Sequence, residues 1–575
     1  MTFERMTAAT ACALPILLCA GCDDGVAPGT GGPGPDDLPE VQYFDRTVAE
    51  AMAENSADHE EAGDYTWDPA EATAITLGGD TIIVEGTGVS VDGTKATIDS
   101  AGTYLIGGAL PDGRVIVDAG NEGIVRLVLG GVDIACASFS PLSVVSAEKT
   151  VIILEDGTQN RLTDGESYIF EVPGATEPDA CLFSAGDLTI SGGGSLEIAG
   201  NYRHGISGAR GLVIRDAVAV VDAADDGIRG RDCLVVRGAA IAVDCGGDGL
   251  KSNNDSDPAR GYIHIESGRL RIVCGSDAIQ AETDALISGG EISLLTGGGS
   301  GTGGGESSAK GIKADVAAIM DGGSVSLDCA DDGINSNSAA VINGGSLAIS
   351  CDDDAIHADS TLGVNGGEIV IEKCVEGLES ALLSIADGDI RIASSDDGIN
   401  ASKGDPNILY LIGGRIEIDA GDDGIDANGS IVMAGGSVII HGAPVDTCGA
   451  IDYDLSFRIT GGFLLGAGSD GMAQAPDGTS TQNSVLVRLG PMWAAGTLFN
   501  IQTSSGETLF TFAPLKPYGS IVFSSPRLLR GETYRIFYGG SSTGTPVDGL
   551  YGDGVYTPGT ELARFTVTRA VTTVR

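Results

Sequence analysis

The residues Asp-Asp-Gly-Ile recur at 225–228, 331–334, 396–399 and 422–425. Aligned on the small residue before Ile or Leu, the register runs Gly205, Gly227, Gly249, Ala278, Gly311, Gly333, Ala355, Gly377, Gly398, Gly424 and Ala450. Successive spacings are 22, 22, 29, 33, 22, 22, 22, 21, 26 and 26 residues. A period near 22 with variable insertions is the mark of a solenoid, in which each repeat buries its apolar side against the next. The longer intervals hold DSDPARG at 255–261 and TGGGSGTGGGE at 296–306, polar or Gly-rich inserts expected as loops on one face.

Each period carries three apolar beats. One is the Gly-Ile element, a second is a short run such as AAVINGG (339–345) or LYLIGG (409–414), and a third follows the double glycine, as in GGSLAIS (344–350) and GGEIVIE (366–372). The alternation has the period of a strand, and glycines punctuate the corners, where they permit positive φ. Three short strands per turn make the chain an all-β parallel β-helix of roughly 22-residue coils. The inward Ile residues stack from coil to coil, and the acids face outward.

The acids carry the candidate chemistry. Asp226, Asp248, Asp277, Asp332, Asp354, Glu376, Asp397 and Asp423 precede the small residue, and Asp225, Asp331, Asp353, Asp396 and Asp422 stand beside several of them. Coils lie about 4.8 Å apart. Two carboxylates at that spacing repel by about 0.9 kcal/mol in water and about 3.5 kcal/mol at an effective dielectric of 20. A cation bridging two coils would remove this cost. Ca²⁺ suits the donor set because it takes six to eight oxygens, and Asn335, Asn400 and Asp426, two residues after the glycine, would add ligands. The alternative is a solvated acidic face whose Asp residues stabilise their own turns. The formal charge of −49 argues against nucleic acid or an anionic membrane surface as a partner. Only at 309–315, AKGIKAD, do Lys310 and Lys313 replace the acids, either as an internal salt bridge or as a base beside a metal.

The N-terminus reads MTFERMTAATACALPILLCAGC, a short apolar stretch fitting a signal peptide whose LCAGC end resembles a bacterial lipobox with Cys22 as the lipidated residue. The expected organisation is signal peptide 1–22, a Gly/Pro-rich tether and short helical or irregular segment 23–59, opening β coils 60–180, the repeat helix 181–483 and a small C-terminal β module 484–575 that caps it. The expected location is the cell envelope, exported and surface-exposed, touching membrane only through the lipid. Of twelve cysteines, nine remain beyond Cys12, Cys19 and Cys22, an odd number that excludes complete internal pairing. No Cys/His motif has zinc spacing, and no cofactor-binding motif is found.

Several segments together resemble one bacterial family: DYTWDPAEATAITL (64–77), GTYLIGGAL, LVLGGVDI, the DDGI repeats, AIDYDLSFRITGG (450–462), GMAQAPDGTSTQNSVLV (471–487) and GETYRIFYGGS (531–541). It is the family of carbohydrate-binding domain-containing proteins, formerly a domain of unknown function, and the resemblance spans about residues 60–545. It implies a right-handed parallel β-helix similar to Ca²⁺-dependent pectate lyases, Ca²⁺ bound along it, and binding of acidic or plant-type polysaccharides such as polygalacturonate and cellulose. Two readings follow. The first is a non-catalytic, calcium-dependent polysaccharide-binding protein with no catalytic residue. The second is a lyase acting by β-elimination, with Lys313 as the base and Lys251 as second choice. A spacer or adhesin without a sugar ligand is the third alternative.

Overall fold

The computed structural model describes residues 40–120, 123–170, 172–302 and 308–575. The predicted signal peptide, Cys22 and the tether up to Pro39 lie outside the described residues.

The chain winds into a parallel β-helix with three sheets. The first sheet holds the Gly-Ile strands. Among the described residues fifteen strands stack in it, from Lys95–Ile98 to Ile451–Tyr453. Its register joins Ile334 to Ile312 and Ile356, and Ile425 to Ile399 and Ile451. The second sheet holds the middle run, as in Ala339–Ile342, and the third the strand after the double glycine, as in Ser346–Cys351. Coil stacking continues without a break across residues 180–181. All three inner faces feed one apolar core extending from Ile75 to Val522. The two long intervals fall at different corners: 255–261 joins the first sheet to the second, and the chain passes from the third sheet at Thr296 to the first at Ile312.

Two kinds of glycine do different work. At the corner between second and third sheets the second glycine of the pair is left-handed, as at Gly367 with φ +93°. The glycine of the DGI element has no such φ. A Cβ on Gly398 would lie 2.2 Å from Ile418 Cγ2 and 2.6 Å from the Gly424 carbonyl oxygen. The corner therefore needs glycine for close approach between coils, and sequence patterning alone had suggested only backbone freedom.

A strap of residues 41–68 runs back along the outer face of the second sheet. Val41 and Phe44 pack on Ile408, Tyr410 and Val432. The helix Val48–Glu54, capped by the reciprocal Thr47–Glu50 pair, buries Val48 and Ala51 against Leu286, Ile319 and Val341. Trp67 reaches Val128 and Val151 near the opposite end. Ion pairs pin the strap: Asp58 to Arg237 at 2.8 Å, Glu60 to Arg215 at 2.7 Å and Asp64 to Lys149 at 2.8 Å. The open ends are covered too. Val89–Asp92 turns back antiparallel on Lys95–Ile98, while Tyr518–Ser524 pairs antiparallel with Phe463–Gly468. Ser484–Trp493 and Val571–Val574 extend that edge, Ser541–Ser542 pairs with Tyr556–Thr557, and six other C-terminal strands form a sheet over an aromatic core containing Phe499, Phe510, Phe512, Phe523 and Tyr534.

Candidate functional site: an acidic corner along the first sheet

The acids before the small residue line one corner, where the third sheet turns into the first. Each gives one oxygen to the coil that follows. Asp226 Oδ1 accepts the Asp248 N–H at 3.0 Å, Asp248 Oδ1 the Asp277 N–H at 3.0 Å, and Asp277 Oδ1 the Lys310 N–H at 2.8 Å. The pattern continues from Asp332 to Asp354 N–H at 3.1 Å, Asp354 to Glu376 N–H at 3.3 Å, and Asp397 to Asp423 N–H at 2.9 Å. These amides are otherwise orphans of the corner, and buried N–H groups need acceptors. The carboxylates therefore stitch coil to coil, whereas the sequence reading favoured cation ligation and, as the alternative, had each Asp stabilise its own turn. A periodic acid directly before an unpaired corner amide was the available signal.

The second oxygen meets three environments along the axis. In the first stretch it is neutralised. Lys251 Nζ lies 2.5 Å from Asp248 Oδ2, Arg229 Nε 3.4 Å from Asp226 Oδ2, and Lys313 Nζ 3.7 Å from Asp277 Oδ2. Arg203 reaches Asp225 at 3.3 Å, and His204 Nδ1 is 3.4 Å from Asp226. Lys310 lies 3.0 Å from Asp331 and 2.5 Å from Asp332, the salt-bridge alternative for this lysine. Asn335 turns its amide Nδ2 to Asp332 at 2.8 Å. Asp353 belongs with Asp331 and Asp332 in one compact group.

In the middle stretch Asp354 meets His357 and Glu379. His357 Nδ1 is 2.6 Å from Glu379 and its Nε2 is 3.0 Å from Asp359, while Lys403 Nζ is 2.7 Å from Glu379. Bonds from Asp354 and Glu379 push His357 up to about 10, so the ring is an imidazolium. Burial works against ionisation of Glu379, but bonds from His357, Lys403 and Ser402 outweigh it and hold the carboxyl well below the usual range. His204, His357, Glu379 and Lys403 were not singled out from sequence. His357 and Glu379 sit two residues after Ala355 and Gly377, the place Asn335 and Asn400 hold in their coils, so the repeat alignment contained them.

The last stretch has no such compensation. Asp396, Asp397 and Asp422 bring oxygens within 4.8 Å of one another. Asp423 and Asp426 flank them, and Asp452 stands in register with Asp426. Among the described residues none of these six acids forms an ion pair. Burial, reinforced by Asp426, Asp423 and Asp396, raises Asp397 to about 8. Burial with Asp422, Asp452 and Asp426 raises Asp423 to about 7, and burial with Asp452 and Asp454 raises Asp426 to about 6. Burial and Asp422 raise Asp396 as well. Beside them, Asn400 donates Nδ2 to Glu376 at 3.0 Å, and its buried Oδ1 and Glu376 Oε2 have no hydrogen-bond partner. An all-oxygen donor set with unmet negative charge fits a hard cation.

The fold and this corner define a parallel β-helix protein with a long polar ledge. Family comparison makes it specific. The model of the carbohydrate-binding domain-containing family matches residues 92–355 and 352–493. The chain belongs to that family, and its partner class is polysaccharide. A carbohydrate-binding domain-containing protein of Acetivibrio thermocellus is 42% identical over 211 residues, covering 37% of this chain and 74% of that one. A solved structure of a polysaccharide lyase-like protein from C. thermocellum, a gadolinium derivative, is 34% identical. It covers 40% of this chain and 92% of its own, with a TM-score of 0.39.

Proposed function

We propose that the protein binds acidic, pectin-type polysaccharide without cleaving it, through Ca²⁺ held at the uncompensated end of the corner. The observation that carries this reading is the unpaired cluster of Asp396, Asp397, Asp422 and Asp423, next to stretches where the same row is neutralised by Lys and Arg. Asp426 and Asn400 complete the donor set. Ca²⁺ there would offset the mutual repulsion and leave coordination positions for the carboxylates of a uronate chain. Asp331, Asp332 and Asp353 form a second candidate group, with Lys310 already supplying positive charge. Lys313 faces Asp277, so the base of the lyase reading is engaged in an ion pair.

Co-sedimentation with polygalacturonate in Ca²⁺ or EDTA tests the reading. Calcium-dependent pelleting, lost in Asp397→Asn/Asp422→Asn, is the expected result. Pelleting indifferent to EDTA overturns the role of the cation. Rising absorbance of unsaturated uronate, abolished by Lys313→Ala, overturns the non-catalytic assignment. We further propose export as a cell-envelope lipoprotein, supported by the LCAGC segment. Radiolabelled palmitate should enter the wild type and not Cys22→Ala.

A further inference from the structure

At the next corner of the coils, between the first and second sheets, the strap closes over a cavity of about 140 Å³. Its walls include His59 from the strap and Asp187, Arg210, Asp232, Arg260 and Tyr262 from four successive coils. Three features make it a site and not a packing gap. The first is polar need. His59 is nine-tenths buried, its Nε2 is 2.9 Å from Thr189 Oγ1, and its Nδ1 has no hydrogen-bond partner. Burial lowers its proton affinity. The second is space held open. A Cβ on Gly211 would come within 2.8 Å of His59 Nδ1 and 3.3 Å of Asp187 Oδ1, so glycine leaves both atoms facing the void. The third is charge at the mouth. Arg210 is exposed and makes no side-chain bond among the described residues, whereas Arg260 is held by Asp232 at 2.6 Å.

A cavity of about 150 Å³ admits one six-membered ring. A free guanidinium at the rim selects a planar anion, for which its forked donors are matched. Inside, Asp187 Oδ1 lies 3.8 Å from His59 Nδ1, a gap that one hydroxyl group can bridge. With the proton on Nδ1 and Nε2 accepting from the Thr189 hydroxyl, the ligand hydroxyl accepts from His59 and donates to Asp187. We propose that this cavity is a binding site for a single sugar-acid residue, its carboxylate on Arg210 and a ring hydroxyl between His59 and Asp187. The inference rests on the carbohydrate-binding reading but uses none of the acidic corner and needs no cation. It gives the protein a terminal-residue or monosaccharide site separate from the polymer-binding ledge.

Ligand-observed NMR on the whole mature chain in EDTA tests it, with galacturonate and glucuronate as probes and galactose, glucose and a neutral amino acid beside them. A ligand of this size supports a dissociation constant on the order of 1 mM. Sugar acids should bind, neutral hexoses should not, and Arg210→Ala should weaken binding tenfold or more with an unchanged melting temperature. Asp187→Asn keeps the acceptor for the Gly211 N–H, made at 3.1 Å, and should weaken the sugar acid severalfold. Equal response to neutral and acidic sugars, response to the amino acid alone, or no effect of Arg210→Ala overturns the proposal. If calcium-dependent polymer binding survives while the monosaccharides fail, this site falls and the function of the corner stands.

Discussion

At the residue scale, an acid on this corner is worth what its two oxygens do. Asp332 is buried, accepts the Asp354 N–H and receives Lys310. Its loss leaves a buried donor without an acceptor and Lys310 with Asp331 alone, so Asp332→Ala should cost about 1–3 kcal/mol in urea unfolding. Asp396 holds no stitch and faces Asp422, so Asp396→Asn should leave cation-free stability unchanged or slightly raised. If both variants cost the same, the stitch has no special weight. Protonation follows the same logic. Asp397 and Asp423 are raised to about 8 and about 7 against an ordinary value near 4. The folded chain therefore holds protons that the unfolded chain has released, and stability is lost as pH rises through these values. His357, raised to about 10, has the same sign over this range. His204, lowered to about 3, opposes it only below the ordinary histidine value. In EDTA the melting temperature should fall between about pH 6.5 and 8.5, and Asp397→Asn should flatten that decline. A flat wild-type profile would overturn the assignment.

At the element scale, most of the strands are three to six residues long and have little stability alone, so their strength comes from stacking. Ile399 is fully buried between Leu378 and Ile425. Ile399→Ala should cost about 2–5 kcal/mol by leaving a cavity. Gly398→Ala inserts one methyl against Ile418 and the next coil's backbone and should cost about 1–3 kcal/mol. Chemical denaturation of both variants checks the two magnitudes. A neutral Gly398→Ala would mean that the coils at this corner accommodate a methyl group, as the sequence does at Ala278 and Ala355.

At the scale of the whole molecule, the helix exposes three outer faces and treats them differently. The second is the most apolar, and the strap covers it from Val432 back to Val128. Deleting residues 41–68 should uncover that face and drive the chain into larger oligomers or aggregates that bind hydrophobic dye. Light scattering after size exclusion reads this directly, and a clean monomer would show that the strap is dispensable. The third meets the C-terminal module at its far end, where Arg415 pairs with Asp548, Asp419 with Lys516, and His441 stacks on Phe512, and the first carries the polar ledge.

The period of the repeat, its three strands per coil and the inward Ile ladder were legible in the sequence, because stacking forces equivalent residues into the same chemical place every coil. The acids were legible for the same reason. Their division into neutralised, proton-linked and uncompensated stretches was not, since it depends on which basic side chain from a neighbouring coil reaches which oxygen. Lys310 and Lys313 differ by three residues yet serve different acids. The strap was equally hidden. Residues 41–68 carry no repeat, and their place is set by an apolar sheet face assembled from coils hundreds of residues away. Local periodicity determined the helix, and contacts between distant segments decided where it is charged, covered and hollow.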